Sequence, residues 1–437
     1  MKVGFVSLGC SKNLIDTEIA IGILKEHGME IVSNPEDAEM IAVNTCGFIE
    51  TAKEEAINTI LEMAEYKKEN CKYIIAMGCL VQRYREELEK SLPEVDLFIK
   101  YDEYDTIWSQ IDNLINKDII HEKEEDIPFN KLQDRVITTG DNFAYVKIAD
   151  GCNNCCTFCA IPYIRGRFES RPMEDIIEEV KKLAKSGYKE IILIAQDTTK
   201  YGIDIYGKPK LAELLKKLCK IDGIKWIRFL YAYPETIDDK LIKVVKKNEK
   251  ICKYFDIPIQ HISDSVLKRM NRKSNSESIE LLIKKLREKI PNVIIRTTVM
   301  VGFPGETQED FEKLCNFVES AKFDKLGAFA YSKEEGTPAA KLKEQVHPMT
   351  KKARYNKIME IQQKVSEENL NKYIGKQLEV LVEGKTIDGK YYVCRSYMDV
   401  PDIDGLIYLN NSKELKIGDF VKCTIKSSIN EYDLLGE

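Results

Sequence analysis

Two hydrophobic periods alternate along the first hundred residues. Val3–Leu8 is a short run of β-formers that ends at Gly9-Cys10. Ile15, Ile19, Ile23 and Leu24 then recur near the helical period, which predicts a helix. A second strand is expected at Ile31-Val32, followed by the apolar run Met40–Asn44, which closes at Thr45-Cys46-Gly47. Residues 50–68 read as helix, Tyr73–Met77 as a buried strand closing at Gly78-Cys79, and a further helix starts near Gln82. Such strand–helix alternation predicts a parallel, doubly wound sheet.

A charged stretch over residues 117–141 interrupts the pattern and reads as a solvated linker, with His121 as an exposed member of it. Strands are then expected at Ala144–Ile148, Ile191–Ala195, Trp226–Leu230, Tyr254–Ile257, Val293–Val299 and Leu326–Tyr331. Helical stretches separate them at Asp175–Lys185, Leu211–Lys220, Asp238–Lys247, Ser276–Lys289 and Glu309–Ala321. Strands and crossover helices in this order predict an open, six-stranded (β/α) barrel. Residues 335–349 lack periodicity, and a helix from Met349 to about Lys372 reads as a bridge. Short strands at Leu378–Val382, Lys390–Cys394, Leu406–Leu409 and Phe420–Ile425, with turn signals at Asp388-Gly389 and Asp404-Gly405, predict a small antiparallel β-barrel. The fold class is therefore α/β with a small β-barrel at the end. The expected division is 1–118, 140–335, 336–372 (linker and bridging helix) and 373–437.

Composition narrows the class. The 437 residues are 43% hydrophobic and 32% charged, as in a globular protein. No apolar run reaches the roughly 18 residues that a membrane span needs. The first ten residues briefly imitate a lipoprotein signal, but the apolar stretch is short and carries one lysine, so it reads as a first strand. Thirteen cysteines without an export signal imply a reducing, cytoplasmic setting in which thiols serve metals or chemistry. A net charge of −6 argues against a large nucleic-acid footprint, and no direct DNA binding is expected.

The chemistry is concentrated in Gly151-Cys152-Asn153-Asn154-Cys155-Cys156-Thr157-Phe158-Cys159. Cys152, Cys156 and Cys159 stand at C-x3-C-x2-C spacing, and three thiolates in so short a loop can cap three corners of an iron–sulfur cube. Cys155 starts no second run of this spacing, since Pro162 stands where its third cysteine would have to be; without a fourth ligand one iron would stay open to the amino and carboxylate groups of a substrate. Zinc knuckles use separated C-x2-C pairs or Cys/His mixtures; here Cys152/Cys155 and Cys156/Cys159 adjoin with no spacer between them, and no histidine lies nearby. Cys10, Cys46 and Cys79 each follow the carboxyl end of a predicted parallel strand, where open α/β sheets bind ligands. Three coincidences of this kind favour a second three-thiolate site over three small loop residues. Cys71 precedes its strand and belongs on the opposite edge. The remaining cysteines, Cys155, Cys219, Cys252, Cys315, Cys394 and Cys423, carry no assigned role and read mostly as small core hydrophobes.

The barrel's strand ends carry Asp150-Gly151-Cys152, Gln196-Asp197-Thr198, Tyr231, Gln260-His261, Gly302-Phe303-Pro304-Gly305-Glu306 and Ser332. The carboxyl ends of barrel strands carry the chemistry. Arg165 and Arg167, after the cysteine loop, read either as contacts to a substrate or cluster or as a solvated face. No general acid or base is assigned.

The C-x3-C-x2-C loop with aromatic Phe158 before its last cysteine resembles the radical S-adenosylmethionine (SAM) superfamily. Together with Cys10, Cys46, Cys79 and the terminal barrel, the whole chain resembles the radical SAM methylthiotransferases. Ser7–Asp16, Asn44–Ile49, Cys159–Gly166 and Asp399–Gly405 are similar to that family's RimO branch, with Ser11 where proline is frequent. The resemblance implies two 4Fe–4S clusters, one on Cys152, Cys156 and Cys159 and one on Cys10, Cys46 and Cys79. It implies SAM at the first cluster, with contacts expected from Phe158, Gln196, Arg228, Gln260, Gly302 and Phe303. The terminal barrel would be a TRAM domain. The implied reaction is radical methylthiolation of the β-carbon of an aspartate in ribosomal protein S-twelve, free or in the ribosome, with an electron donor and a sulfur source. A tRNA methylthiotransferase is the alternative, and a non-catalytic iron–sulfur electron carrier or RNA-binding protein is the second. The tRNA reading would suit a basic terminal barrel, yet residues 370–437 hold 9 Lys and Arg against 11 Asp and Glu.

Overall fold

The structure, a computed structural model, describes residues 1–116, 135–410 and 413–437. Most of the charged stretch 117–141, His121 included, lies outside the described residues. Its end departs from the solvated linker expected. Arg135 pairs with Glu18, both side chains at 5% exposure or less. Thr138 donates to Glu18 through both its backbone N–H and its hydroxyl.

Chain contacts gather the described residues into two compact units. One holds 1–138, 149–171 and 334–340; the other holds 139–148, 172–333 and 341–437. The cysteine loop after residue 148 thus belongs with the amino-terminal residues.

In the first unit, β1 (Lys2–Ser7), β2 (Glu30–Val32), β3 (Met40–Thr45), β4 (Tyr73–Gly78) and β5 (Leu97–Lys100) form one sheet in the order β2-β1-β3-β4-β5. Every pairing is parallel, as the alternation predicts. The helix Ser11–Glu26 follows β1, Glu50–Ala64 follows β3 and Cys79–Ser91 follows β4. Ile41, Val43, Ile60, Ile74, Leu80 and Phe98 pack in a fully apolar layer between strands and helices. β5 escapes the sequence reading because four residues carry too little periodicity.

In the second unit, β6 (Phe143–Lys147) is followed in the chain by a two-residue ribbon, β7 (Ala149–Asp150) and β8 (Glu169–Ser170), which closes the cysteine loop in the first unit. The sheet resumes with β9 (Glu190–Ile194), β10 (Trp226–Phe229), β11 (Tyr254–Asp256), β12 (Ile294–Val301) and β13 (Lys325–Ala330). β6-β9-β10 and β11-β12-β13 pair in parallel. The bridge Ile227–Ile251 and the hydrogen bond from Ala232 N–H to Asp256 O, 2.8 Å, join the two halves. No pairing joins β6 to β13 among the described residues, so the six-stranded barrel is open, as expected.

The helix Pro348–Asn371 leads to a closed barrel of β14 (Gln377–Lys385), β15 (Tyr392–Ser396), β16 (Ile407–Leu409), β17 (Phe420–Ser428) and β18 (Leu434–Gly436). Its order is β14-β15-β16-β18-β17. It differs from the expected antiparallel barrel in one pairing: β16 and β18 run parallel. β18 is the strand the sequence reading misses, three residues with no turn signal before them.

Candidate metal centre

Helix and strand geometry brings the first cysteine set together. The side chain of Asn13, on the first turn of its helix, donates to Leu8 O at 3.1 Å and Thr45 O at 2.9 Å. Its Oδ1 accepts from Cys79 Sγ at 3.3 Å. One amide therefore ties the loops bearing Cys10, Cys46 and Cys79. Asn44 Nδ2 in turn donates to Asn13 O. Gly9 has φ +87°, and a Cβ there would stand 2.7 Å from Cys46 Cβ and 3.0 Å from its Sγ. The cradle therefore requires glycine both for its backbone conformation and for its space. Cys10 is exposed, Cys46 half-buried and Cys79 buried. Burial pushes the Cys79 thiol up to about 12, and the charges of Cys10 and Cys46 add to this. Burial also raises Cys46, with Cys10 again contributing.

The second set sits in the loop closed by β7 and β8. Gly151 has φ +70°, and a Cβ there would fall 2.0 Å from Arg167 O. Cys152 N–H donates to Gly166 O, and Cys159 N–H to Cys156 O. Asn154 N–H points at Cys152 Sγ, 3.5 Å away. Cys155 is exposed with φ +50°, turned out of the loop. Burial pushes Cys159 up to about 12, and the neighbouring thiols of Cys156, Cys152 and Cys155 push the same way.

The two sets are neighbours within the same unit. Cys79 packs on Ala160 and Ile164, immediately beyond Cys159. Arg165 follows them and reaches back, its Nη2 donating to Asn13 Oδ1 and Asp16 Oδ2, each at 2.6 Å, and lying 3.7 Å from Cys79 Sγ. Its Nη1 donates to Asp150 Oδ2 at 2.9 Å. The solvated-face reading of Arg165 is thus corrected: its side chain is 2% exposed. Arg167 alone is exposed.

The residues fit iron–sulfur clusters in donor chemistry: soft thiols, backbone N–H groups near sulfur, and a glycine cradle against one ligand. Among the described residues no three His, Cys, Asp or Glu side chains already converge on one metal ion. A cubane does not ask for that, because each thiolate caps a different iron. Bound thiolates must lose their protons, so loading releases protons from thiols that burial holds protonated.

The expected SAM contacts fare unevenly. Gln196 lies just past β9, half-buried. Gln260 has φ +69°, its N–H on Thr298 O and its own carbonyl accepting from Met300 N–H. Tyr231 has φ +60° beside it in the series of strand ends. Phe158 is half-buried in its loop. Arg228 is a correction: it is fully buried, donating to Glu190 Oε1 at 2.9 Å and to Tyr397 O at 2.9 Å. Glu190 opens β9, so Arg228 is committed to the strands' amino side, away from the mouth. Phe303 is wholly buried, its ring edge-on to Tyr331. The close approach that Gly302 permits is to Lys351, whose Cγ would lie 2.4 Å from a Cβ there. Of the unassigned cysteines, Cys71, Cys252, Cys394 and Cys423 are buried, while Cys219 and Cys315 are half-buried. Asn13, Asp16 and Asp150 escape the sequence reading. The one available signal is the three-residue spacing that puts Asn13 and Asp16 on one helix face.

Comparison with known proteins decides the family. The radical SAM superfamily matches residues 146–318, a TRAM domain 374–437, and the uncharacterized protein family UPF0004 residues 2–100. A protein of Alkaliphilus oremlandii named ribosomal protein uS12 methylthiotransferase RimO is 60% identical over all of this chain and 99% of its own length. The like-named protein of Caldicellulosiruptor saccharolyticus is 52% identical over 100% and 99%. The chain belongs to the RimO family of radical SAM methylthiotransferases. The family brings iron–sulfur and SAM chemistry. Among solved structures, the radical SAM methyltransferase TsrM of Kitasatospora setae shares the fold at TM-score 0.59 and 12% identity, over 77% of this chain and 76% of its own. No described helix is long and apolar enough to cross a membrane.

Proposed function

We propose that this chain methylthiolates the β-carbon of an aspartate in ribosomal protein uS12. Support comes from full-length similarity to proteins that carry that name. The observation that carries the two-cluster reading is the packing of Cys79 against Ala160 and Ile164, which makes the two cysteine sets neighbours in one compact unit.

Cys152, Cys156 and Cys159 hold the cluster that takes SAM, and Cys10, Cys46 and Cys79 hold a second. When bound, these groups supply radical cleavage of an unactivated C–H bond and a methylated sulfur for the resulting carbon. The chain's own work is to bind, orient and shield. Asn13 fixes the three cysteine-bearing loops of the second site, and Gly9 lets Cys46 close on Cys10. Gly151 lets the first loop close against Arg167. Cys79 is buried against Ala160 and Ile164, which shields that ligand from water. Phe158, Gln196, Gln260, Gly302 and Phe303 are the proposed cofactor contacts. A separate electron donor and a sulfur source act in the cytoplasm, on uS12 free or in the ribosome, without DNA binding. Along the chain the proposed division is 1–118, 140–335, 336–372 and 373–437, with residues 149–171 packed in the amino-terminal unit.

Cys79→Ala tests the division of labour. It is expected to abolish methylthiolation while SAM cleavage to 5′-deoxyadenosine persists, both read by mass spectrometry. Retained methylthiolation in Cys79→Ala overturns the assignment.

A further inference from the structure

We propose that Arg165 is a positioning residue for the cluster on Cys10, Cys46 and Cys79. Its guanidinium supplies the N–H and the fixed positive charge that Cys79 needs as a thiolate, and so sets that cluster's reduction potential. The inference rests on the two-cluster reading above.

Without a cluster, Cys79 carries its proton and donates it to Asn13 Oδ1 at 3.3 Å. Held as a cluster ligand, Cys79 would be a thiolate. The thiolate and the amide oxygen, both acceptors, are then left facing each other in a buried site. Unrelieved, this is a costly arrangement, because neither can turn to water. Arg165 Nη2 stands beside both, 2.6 Å from Asn13 Oδ1 and 3.7 Å from Cys79 Sγ. Its two protons serve three acceptors, Asn13 Oδ1, Asp16 Oδ2 and Cys79 Sγ, so it meets the sulfur with a shared N–H and with its charge. Asn13 cannot rotate to help, since its Nδ2 is occupied by Leu8 O and Thr45 O.

Charge points the same way. A guanidinium stays protonated under all working conditions and presents its donors in a rigid fork. Here that fork is 2% exposed and lies 4.5 Å over the Tyr101 ring, so its field is little screened. Asp16 and Asp150 anchor it at 2.6 and 2.9 Å. Asp150 is itself fixed by Tyr101 Oη at 2.8 Å and Gly151 N–H at 2.9 Å. Reducing a cluster adds one electron and hence one negative charge. Hydrogen bonds to its sulfurs and nearby net charge are the levers that set its potential. A buried cation at a ligand sulfur favours the reduced form, and a carboxylate beside it opposes that form.

The test uses the full chain with Cys152, Cys156 and Cys159 all changed to alanine, so that only the second cluster loads. Its iron and sulfide content and its EPR-monitored redox titration with dithionite are measured. Arg165→Gln is expected to shift the midpoint to more negative potential, and Arg165→Lys to shift it less. Asp16→Asn leaves Arg165 paired with Asp150, removes a carboxylate and frees an Nη2 proton for Cys79. It is expected to shift the midpoint to more positive potential, and it answers the question even if Arg165→Gln does not fold. A loaded cluster whose midpoint is unmoved in Asp16→Asn, or moved the wrong way, overturns the role of Arg165 and leaves the two-cluster reading standing. No cluster at all in the triple-alanine parent overturns that reading and this inference together.

Discussion

At the residue scale the site depends on small, specific choices. Gly9 combines a left-handed φ of +87° with contact to Cys46 that leaves no room for a Cβ. A methyl group there must push Cys46 away from Cys10. Gly9→Ala is therefore expected to retain about half the iron of the parent, that of the Cys152 loop, measured as iron per chain after reconstitution. Full iron content in that variant would show that the cradle tolerates displacement. The six proposed cysteine ligands were legible in the sequence because spacing and strand ends announce them. Asn13 was not, and Arg165 stood open between a cluster contact and a solvated face, because their importance lies in atoms from distant segments. Asn13 acts by donating to Leu8 and Thr45, and Arg165 by reaching Asp16 and Cys79. Neither partnership leaves a periodic trace.

At the scale of elements, hydrophobic period located nearly every strand and helix of the sheet and barrel. Misses include the short pieces Leu97–Lys100 and Leu434–Gly436, where too few residues repeat, and also the helix Ile107–Ile115. Reading function from position on a strand was less dependable. Arg228 lies in a barrel strand, yet its charge belongs to a buried set with Glu190 and Arg395. Glu190 Oε1 accepts from Arg228 Nε at 2.9 Å and Glu190 Oε2 from Arg395 Nη2 at 2.8 Å. Arg395 Nη2 also donates to Glu383 Oε1 at 2.7 Å. Burial alone would raise the Glu190 carboxyl, but Arg395 and Arg228 bring it below its ordinary value. β9 is thereby joined through Glu190 to β14 and β15 of the terminal barrel. Glu190→Ala strands two buried guanidinium groups and is expected to cost roughly 3–5 kcal/mol of stability. Urea unfolding of the cluster-free chain measures this, and a loss within experimental error would make the network ornamental.

At the scale of the whole molecule, sequence order misled in one respect. The cysteine loop follows the first barrel strand in the chain, yet it packs with the amino-terminal unit, where Ala160 and Ile164 meet Cys79. A chain-order division cannot reveal this, because the loop leaves and re-enters through the two-residue ribbon Ala149–Asp150 and Glu169–Ser170. The consequence is functional: two three-thiolate sets share one compact body, as transfer of a sulfur group to a carbon radical would require. The most direct measurement is anaerobic. The reconstituted protein, with SAM, a reductant and sulfide, is offered small ribosomal subunits and bulk tRNA in parallel, and the products are read by mass spectrometry. The account predicts a methylthio group replacing one hydrogen on an aspartate of uS12 and an unchanged tRNA. A methylthio group on tRNA, with uS12 unmodified, would contradict it.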